Sequence, residues 1–192
     1  MKQYLIGFLL VLLSSQSLGQ GFNPPLDRQI KLEGHITQKH LEIPHIIDTF
    51  LLVSDEPIGI RINSPGGYVI VGQEIIRAIE RAQNQGVEVQ CLVEGQAYSM
   101  ALFIFAYCSE HWVTDTSTLM WHPVRRMMRG VYTAKELRMA IRDIDLDEIP
   151  LVHKLWHTMQ IDRVLFDYHR EKETIWNVWE LKNSTNFFNI HK

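Results

Sequence analysis

The clearest signal along the chain is an alternation of apolar and polar positions that gives way twice to helical spacing. Ile58, Ile60 and Ile62 alternate with Gly59 and Arg61 and stop at Asn63-Ser64-Pro65-Gly66-Gly67, which predicts a strand running into a glycine turn. Val71, Ile75, Ile79 and Ala82, helped by Ile76 and Ala78, then recur at helical spacing. Glu74, Arg77, Glu80 and Arg81 fill the opposite face, and Gly86 closes the helix. Val87, Val89, Cys91 and Val93 alternate as a further strand that ends at Gly95-Gln96-Ala97-Tyr98-Ser99. The segment from Met100 to Tyr107 is apolar on every side, as expected of a helix buried all round.

The flanking regions carry weaker periodicity. A first strand is predicted near Ile30 to Ile36, followed by a helix opened by Thr37 and interrupted or bent at Pro44. Two short strands are expected around Trp112-Val113 and Leu119-Met120-Trp121. Thr133 with Glu136 forms a capping box, and Leu137, Ile141, Ile144, Leu151 and Leu155 continue a long helical stripe that Pro150 should bend. Strands alternating with helices at this spacing imply a largely parallel sheet with crossover helices. No internal repeat or low-complexity tract interrupts the pattern.

Composition narrows the class. The 192 residues, 46% hydrophobic, suffice for one domain with a full core, read here as residues 30–192. Ahead of it, Gly21 to Arg28 with Pro24-Pro25 reads as an extended arm, taken as residues 20–29. The net charge of −3 is spread over interleaved acidic and basic residues, with no basic block of the kind that marks a nucleic-acid partner, and none is expected. Met1-Lys2, an apolar run from Tyr4 to Leu13, and small residues at Ser17 and Gly19 read as a secretory signal peptide over residues 1–19, cleaved before Gln20. Export to the periplasm or the medium is therefore expected, the alternative being a membrane anchor formed by the same segment. Cys91 and Cys108 are too few for a disulfide scaffold; both are read as free core residues, with a single bridge as the alternative.

Candidate chemistry gathers at Ser99. It follows a strand and a turn and opens a buried helix, so an oxyanion formed beside it would meet the backbone N–H of Met100. Gly66-Gly67, at the end of the neighbouring strand, could bring a second N–H to the same point. A serine hydroxyl needs a base, and His122, at the end of the Leu119-Met120-Trp121 strand, is the natural candidate. Serines at helix starts are nevertheless most often caps, and spacing alone does not decide between the two roles.

Three motifs in order do more. Ile62-Asn63-Ser64-Pro65-Gly66-Gly67, then Gly95-Gln96-Ala97-Tyr98-Ser99-Met100-Ala101, then Met120-Trp121-His122-Pro123 resemble the proteolytic subunit of the Clp protease, from about Ile30 to near the C-terminus. The resemblance implies an α/β, crotonase-like fold of repeated ββα units. It also implies a serine endopeptidase with a Ser-His-acid triad, no cofactor and no metal. Ser99 matches the nucleophile, His122 the base, and Gly67 and Met100 the oxyanion-hole amides. Substrate in that family binds as an added strand between the segments matching Tyr68-Val69-Ile70 and Pro123-Val124-Arg125. A homo-oligomeric ring of six or seven subunits, in one or two layers, acting on peptides or unfolded chains, is implied as well. The family's ATP-driven unfoldase partner has no counterpart legible here.

The third triad member departs from the pattern. The family's aspartate lies seven residues before the glutamate of the final helix, and counting back from Glu180 reaches Glu173. Asp167 and Glu171 are the rival acids. Two other readings stand beside the peptidase: an inactive assembly or binding module, and a membrane-associated serine protease resembling signal-peptide peptidase. His153 and His157 share a helix face and could hold a metal. Lys154 stands where a zinc protease needs glutamate, however, and an ordinary exposed pair is the preferred reading.

Overall fold

A computed structural model describes residues 21–183, 185 and 187–191; the expected signal segment, Met1 to Gly19, lies outside the described residues. Strands β1 (Gln29–Glu33), β2 (Ile58–Ser64), β3 (Val89–Tyr98), β4 (Glu110–Val113) and β7 (Asn189–Ile190) run side by side in the order β1-β2-β3-β4-β7, each parallel to its neighbour. Short strand β5 (Thr118–Met120) joins the far half of β3 in parallel, and β6 (Ile175–Asn177) pairs with β5 antiparallel. Helices α1 (Glu42–Val53), α2 (Val69–Asn84), α3 (Met100–Tyr107), α4 (Ala134–Met159), α5 (Arg163–Lys172) and α6 (Val178–Lys182) make the connections. The expected α/β architecture, with a largely parallel sheet and crossover helices, is the one observed.

The alternating isoleucines explain the centre of the sheet. Ile58, Ile60 and Ile62 are fully buried, and β2 aligns Ile60 with Cys91 and Ile62 with Val93 on β3. Helix α3 packs into the same core with Met100 through Ala106 all buried, which its uniformly apolar sequence requires. β3 serves two partners in turn: Gln90 to Val93 pair with β4, whereas Gln96 to Tyr98 pair with β5. Its last residues therefore end beside the end of β5, and Ser99 and His122 emerge at the carboxyl edge of neighbouring parallel strands. That edge is where open α/β sheets place their ligands.

Several expectations needed correction. The first strand stops at Glu33 because Gly34 turns the chain with φ +71, and Ile36 instead bridges to Gly67. Pro44 does not interrupt its helix: a 3₁₀ turn, Gln38–Leu41, precedes α1, so the proline falls in the first turn, where its missing N–H has no intrahelical partner to lose. Helix α4 runs unbroken through Pro150. Its stripe is buried only in the second half, at Leu151 and Leu155, while Leu137 and Ile141 are 45% and 59% exposed. The arm ends in a 3₁₀ turn at Leu26–Arg28, and the buried Arg28 guanidinium donates to the carbonyls of Phe50, Ser54, Glu56 and Pro57.

The cysteines are not free. Cys91 on β3 and Cys108, just past the end of α3, form a disulfide with Cα atoms 5.9 Å apart. The strand-turn-helix path folds the far end of α3 back over the strand that leads to it, which brings two residues separated by 17 positions within bridging reach.

Candidate active site

Ser99 sits between β3 and α3 with φ 54 and ψ −124, a conformation costly for a residue with a Cβ. Its N–H donates to Met120 O at 2.9 Å, tying it to β5, and its carbonyl accepts from Leu102 N at 3.0 Å. Although Ser99 occupies the N-cap position of α3, its side chain makes no capping hydrogen bond. The bland role for a serine at a helix start is thus not the role it plays. The hydroxyl instead belongs to a cavity of about 90 Å³ whose lining includes Gly67, Val69, Met100, His122, Val124, Arg125 and Leu151.

Two glycines make this crowding possible. A Cβ on Gly66 would lie 2.6 Å from Tyr98 O and 2.7 Å from Ser99 Cβ, and one on Gly67 would lie 2.3 Å from Ile36 O. Gly66 O accepts from Ile36 N at 2.9 Å and Tyr68 N donates to Ile36 O at 3.0 Å, as in a parallel ladder. Between them, the alternation of the ladder turns the Gly67 N–H away from Ile36, and Gly67 is among the residues lining the cavity. Met100, the first residue of α3, contributes one of the N–H groups that a helix start leaves without an intrahelical partner.

His122 follows Trp121, which is fully buried and stacked with Phe166 at 5.3 Å and Trp176 at 6.0 Å between ring centroids. That packing anchors the residue from which the histidine projects. His122 Nδ1 lies 2.6 Å from Pro123 O. A carbonyl oxygen can only accept, so Nδ1 carries the proton, and the Nε2 lone pair is left to act as a base. Val124 N donates to Glu148 Oε2 at 3.3 Å, and Arg170 holds the other carboxylate oxygen of Glu148 at 2.8 Å, which fastens the segment after the histidine to α4 and α5.

The three candidate acids occupy different places. Glu173 ends α5 in a left-handed conformation and its carboxylate forms an ion pair with Arg125. The β5–β6 register pairs Leu119 with Trp176 and Met120 with Ile175. β5 ends two residues before His122 and β6 begins two residues after Glu173, so both residues flank the same end of this strand pair. Asp167 pairs with Arg163 at 2.8 Å on its own helix, and Glu171 is exposed on α5.

Of the six expected substrate-binding residues, Val69, Val124 and Arg125 line the cavity with Ser99. Tyr68 and Ile70 line an adjoining, mainly apolar groove of about 350 Å³ with Leu41 and Ile144. Pro123 borders a separate cavity beside α4. Val69 and Ile70 form the first turn of α2, so of that trio only Tyr68 is extended. Sequence reasoning missed Leu151 in the site, the Pro123 carbonyl as a partner of His122, and Arg125 as the partner of Glu173. A backbone carbonyl has no sequence signature, and the Arg125–Glu173 pair spans elements far apart in the chain.

The sequence profile of the Clp protease family matches residues 25–172. The chain belongs to the Clp protease family. Ser99, His122, Gly67 and Met100 all fall inside the matched stretch, whereas Glu173 lies one residue beyond it. No curated protein matches the chain at a significant level.

Proposed function

We propose that this Clp protease family member is a serine endopeptidase that cleaves peptide bonds through an acyl-enzyme. The observation that carries the reading is Ser99 itself: a strained backbone, a hydroxyl not used as a cap, and a cavity shared with His122, Gly67 and Met100. Ser99 Oγ attacks the scissile carbonyl carbon while His122 Nε2 takes its proton. The N–H groups of Gly67 and Met100 hold the oxyanion, and the imidazolium then protonates the leaving amine. Water deacylates the enzyme by the same steps in reverse order.

Glu173 is the proposed acid that orients His122. Its support is position: β6 begins two residues after Glu173 and pairs with β5, which leads into His122, whereas Asp167 and Glu171 lie within α5. The Pro123 carbonyl already fixes the same tautomer, so Glu173 stabilises the imidazolium once Arg125 releases it. The apolar groove beside Tyr68 and Ile70 suits hydrophobic side chains of a peptide or unfolded chain. Export is supported by the Tyr4 to Leu13 apolar run and by the disulfide, a bond that persists in oxidising compartments. Assembly into a ring of six or seven subunits is proposed from the family.

The test is labelling by a fluorophosphonate. Wild-type protein is modified at Ser99 and Ser99→Ala is not; labelling elsewhere, or none in folded wild-type protein, refutes the assignment.

A further inference from the structure

We propose that His153 and His157 form a clamp for an imidazole-preferring divalent metal ion of the zinc class on the second half of α4. This site is separate from Ser99 and does not depend on the peptidase reading. The two histidines are one turn apart on an exposed helix face, with their Nε2 atoms 3.0 Å apart. Metal-bound imidazole nitrogens lie about 2.0–2.1 Å from zinc, so two donors at this separation subtend an angle of about 94° at a shared ion. Opening the pair by about 0.3 Å reaches the tetrahedral angle. The geometry is that of a bidentate site with its rotamers already set.

The surroundings favour a cation there. His157 is in the last turn of α4, where the unpaired carbonyls give the helix its partial negative end. The neighbouring cations are turned to other partners: Lys154 Nζ lies over the Tyr107 ring at 5.3 Å, and the Arg163 guanidinium lies over the Trp156 ring at 5.0 Å while Arg163 pairs with Asp167. Without metal, the Nε2–H of one ring donates a hydrogen bond to the Nε2 of the other. On binding, the donor ring moves that proton to Nδ1, so both Nε2 lone pairs face the ion and no net proton is lost.

Among the described residues no third His, Cys, Asp or Glu completes the set, so water fills the remaining positions. Lys154, in place of the glutamate a zinc hydrolase needs, leaves the ion without a general base beside it. The clamp is therefore structural. It staples the helical turns after Pro150, whose ring nitrogen gives the helix no hydrogen bond, and Leu151 of this same segment lines the Ser99 cavity.

Titration of tag-free protein with Zn²⁺ by calorimetry tests the site. Saturable binding of one ion per chain and a raised Tm are expected. Both are lost in His153→Ala and in His157→Ala, and both are kept in His45→Ala, which alters an exposed histidine on α1. Circular dichroism confirms that the variants are folded. Unchanged Zn²⁺ binding in the His153→Ala/His157→Ala double variant, or no saturable binding by folded wild-type protein, overturns the proposal.

Discussion

In the proposed triad Arg125 and His122 would compete for the Glu173 carboxylate, so removing Arg125 should make that triad work better. The perturbation is Arg125→Gln, which keeps a long polar side chain and deletes the charge. Both partners are well exposed, Arg125 at 66% and Glu173 at 41%, so their ion pair is worth only about 0.2–1 kcal/mol. Releasing Glu173 from an interaction of that size shifts its distribution toward His122 by roughly 1.4- to 5-fold, which is the expected gain in kcat. Glu173→Gln should do the reverse and lower kcat by a factor on the order of 10² or more, because the imidazolium loses its counter-charge. The informative measurement is the double variant. If Arg125 acts through Glu173, Arg125→Gln raises turnover of a fluorogenic peptide only while Glu173 is present. Arg125 also lines the Ser99 cavity, so any contact it makes with substrate appears in KM, while the competition appears in kcat. Full activity in Glu173→Gln, with no gain in Arg125→Gln, would show that the pair is a surface tether and that the Pro123 carbonyl alone orients His122. Loss of activity in Asp167→Asn or Glu171→Gln instead would move the triad to that acid.

Two further outcomes concern stability. Closing a loop between positions 17 apart restricts the unfolded chain by about 3 kcal/mol in the chain-entropy treatment, so a Cys91→Ala/Cys108→Ala variant should lose about that much in denaturant titrations, and reductant should lower the wild-type Tm but not the variant's. His111, burial of which pushes its pKa from 6.5 down to about 4, is packed against Phe105 and Phe187. The unfolded chain takes up the proton first, so stability falls as pH drops from about 6.5 to about 4, by up to about 1.4 kcal/mol per pH unit. His111→Asn should flatten that slope in melts taken across this range; an unchanged slope would mean that other groups set the acid limit.

Local pattern was enough for much of this protein. The isoleucine alternation of β2, the amphipathic spacing of α2 and the uniformly apolar α3 each follow from the period of burial, and α3 spans Met100–Tyr107, the very segment its sequence marks out. The Thr133–Glu136 capping box is present at the start of α4, because a cap is a contact between residues close in sequence. The three motifs carried the family, since each sits where one strand or turn meets the next element. Contacts between distant segments were decided only by tertiary structure. β6 and β7 are too short to show a period and exist because β5 and β4 offer them an edge. The Cys91–Cys108 bridge depends on α3 folding back over β3, and α4, which packs on α3, buries its stripe only in its second half. At the site, the sequence supplied a serine at a helix start with two possible roles. The fold withdraws the cap: Ser99, held at φ 54 with its N–H on Met120 O, makes no side-chain hydrogen bond to the helix end and lines the same cavity as His122.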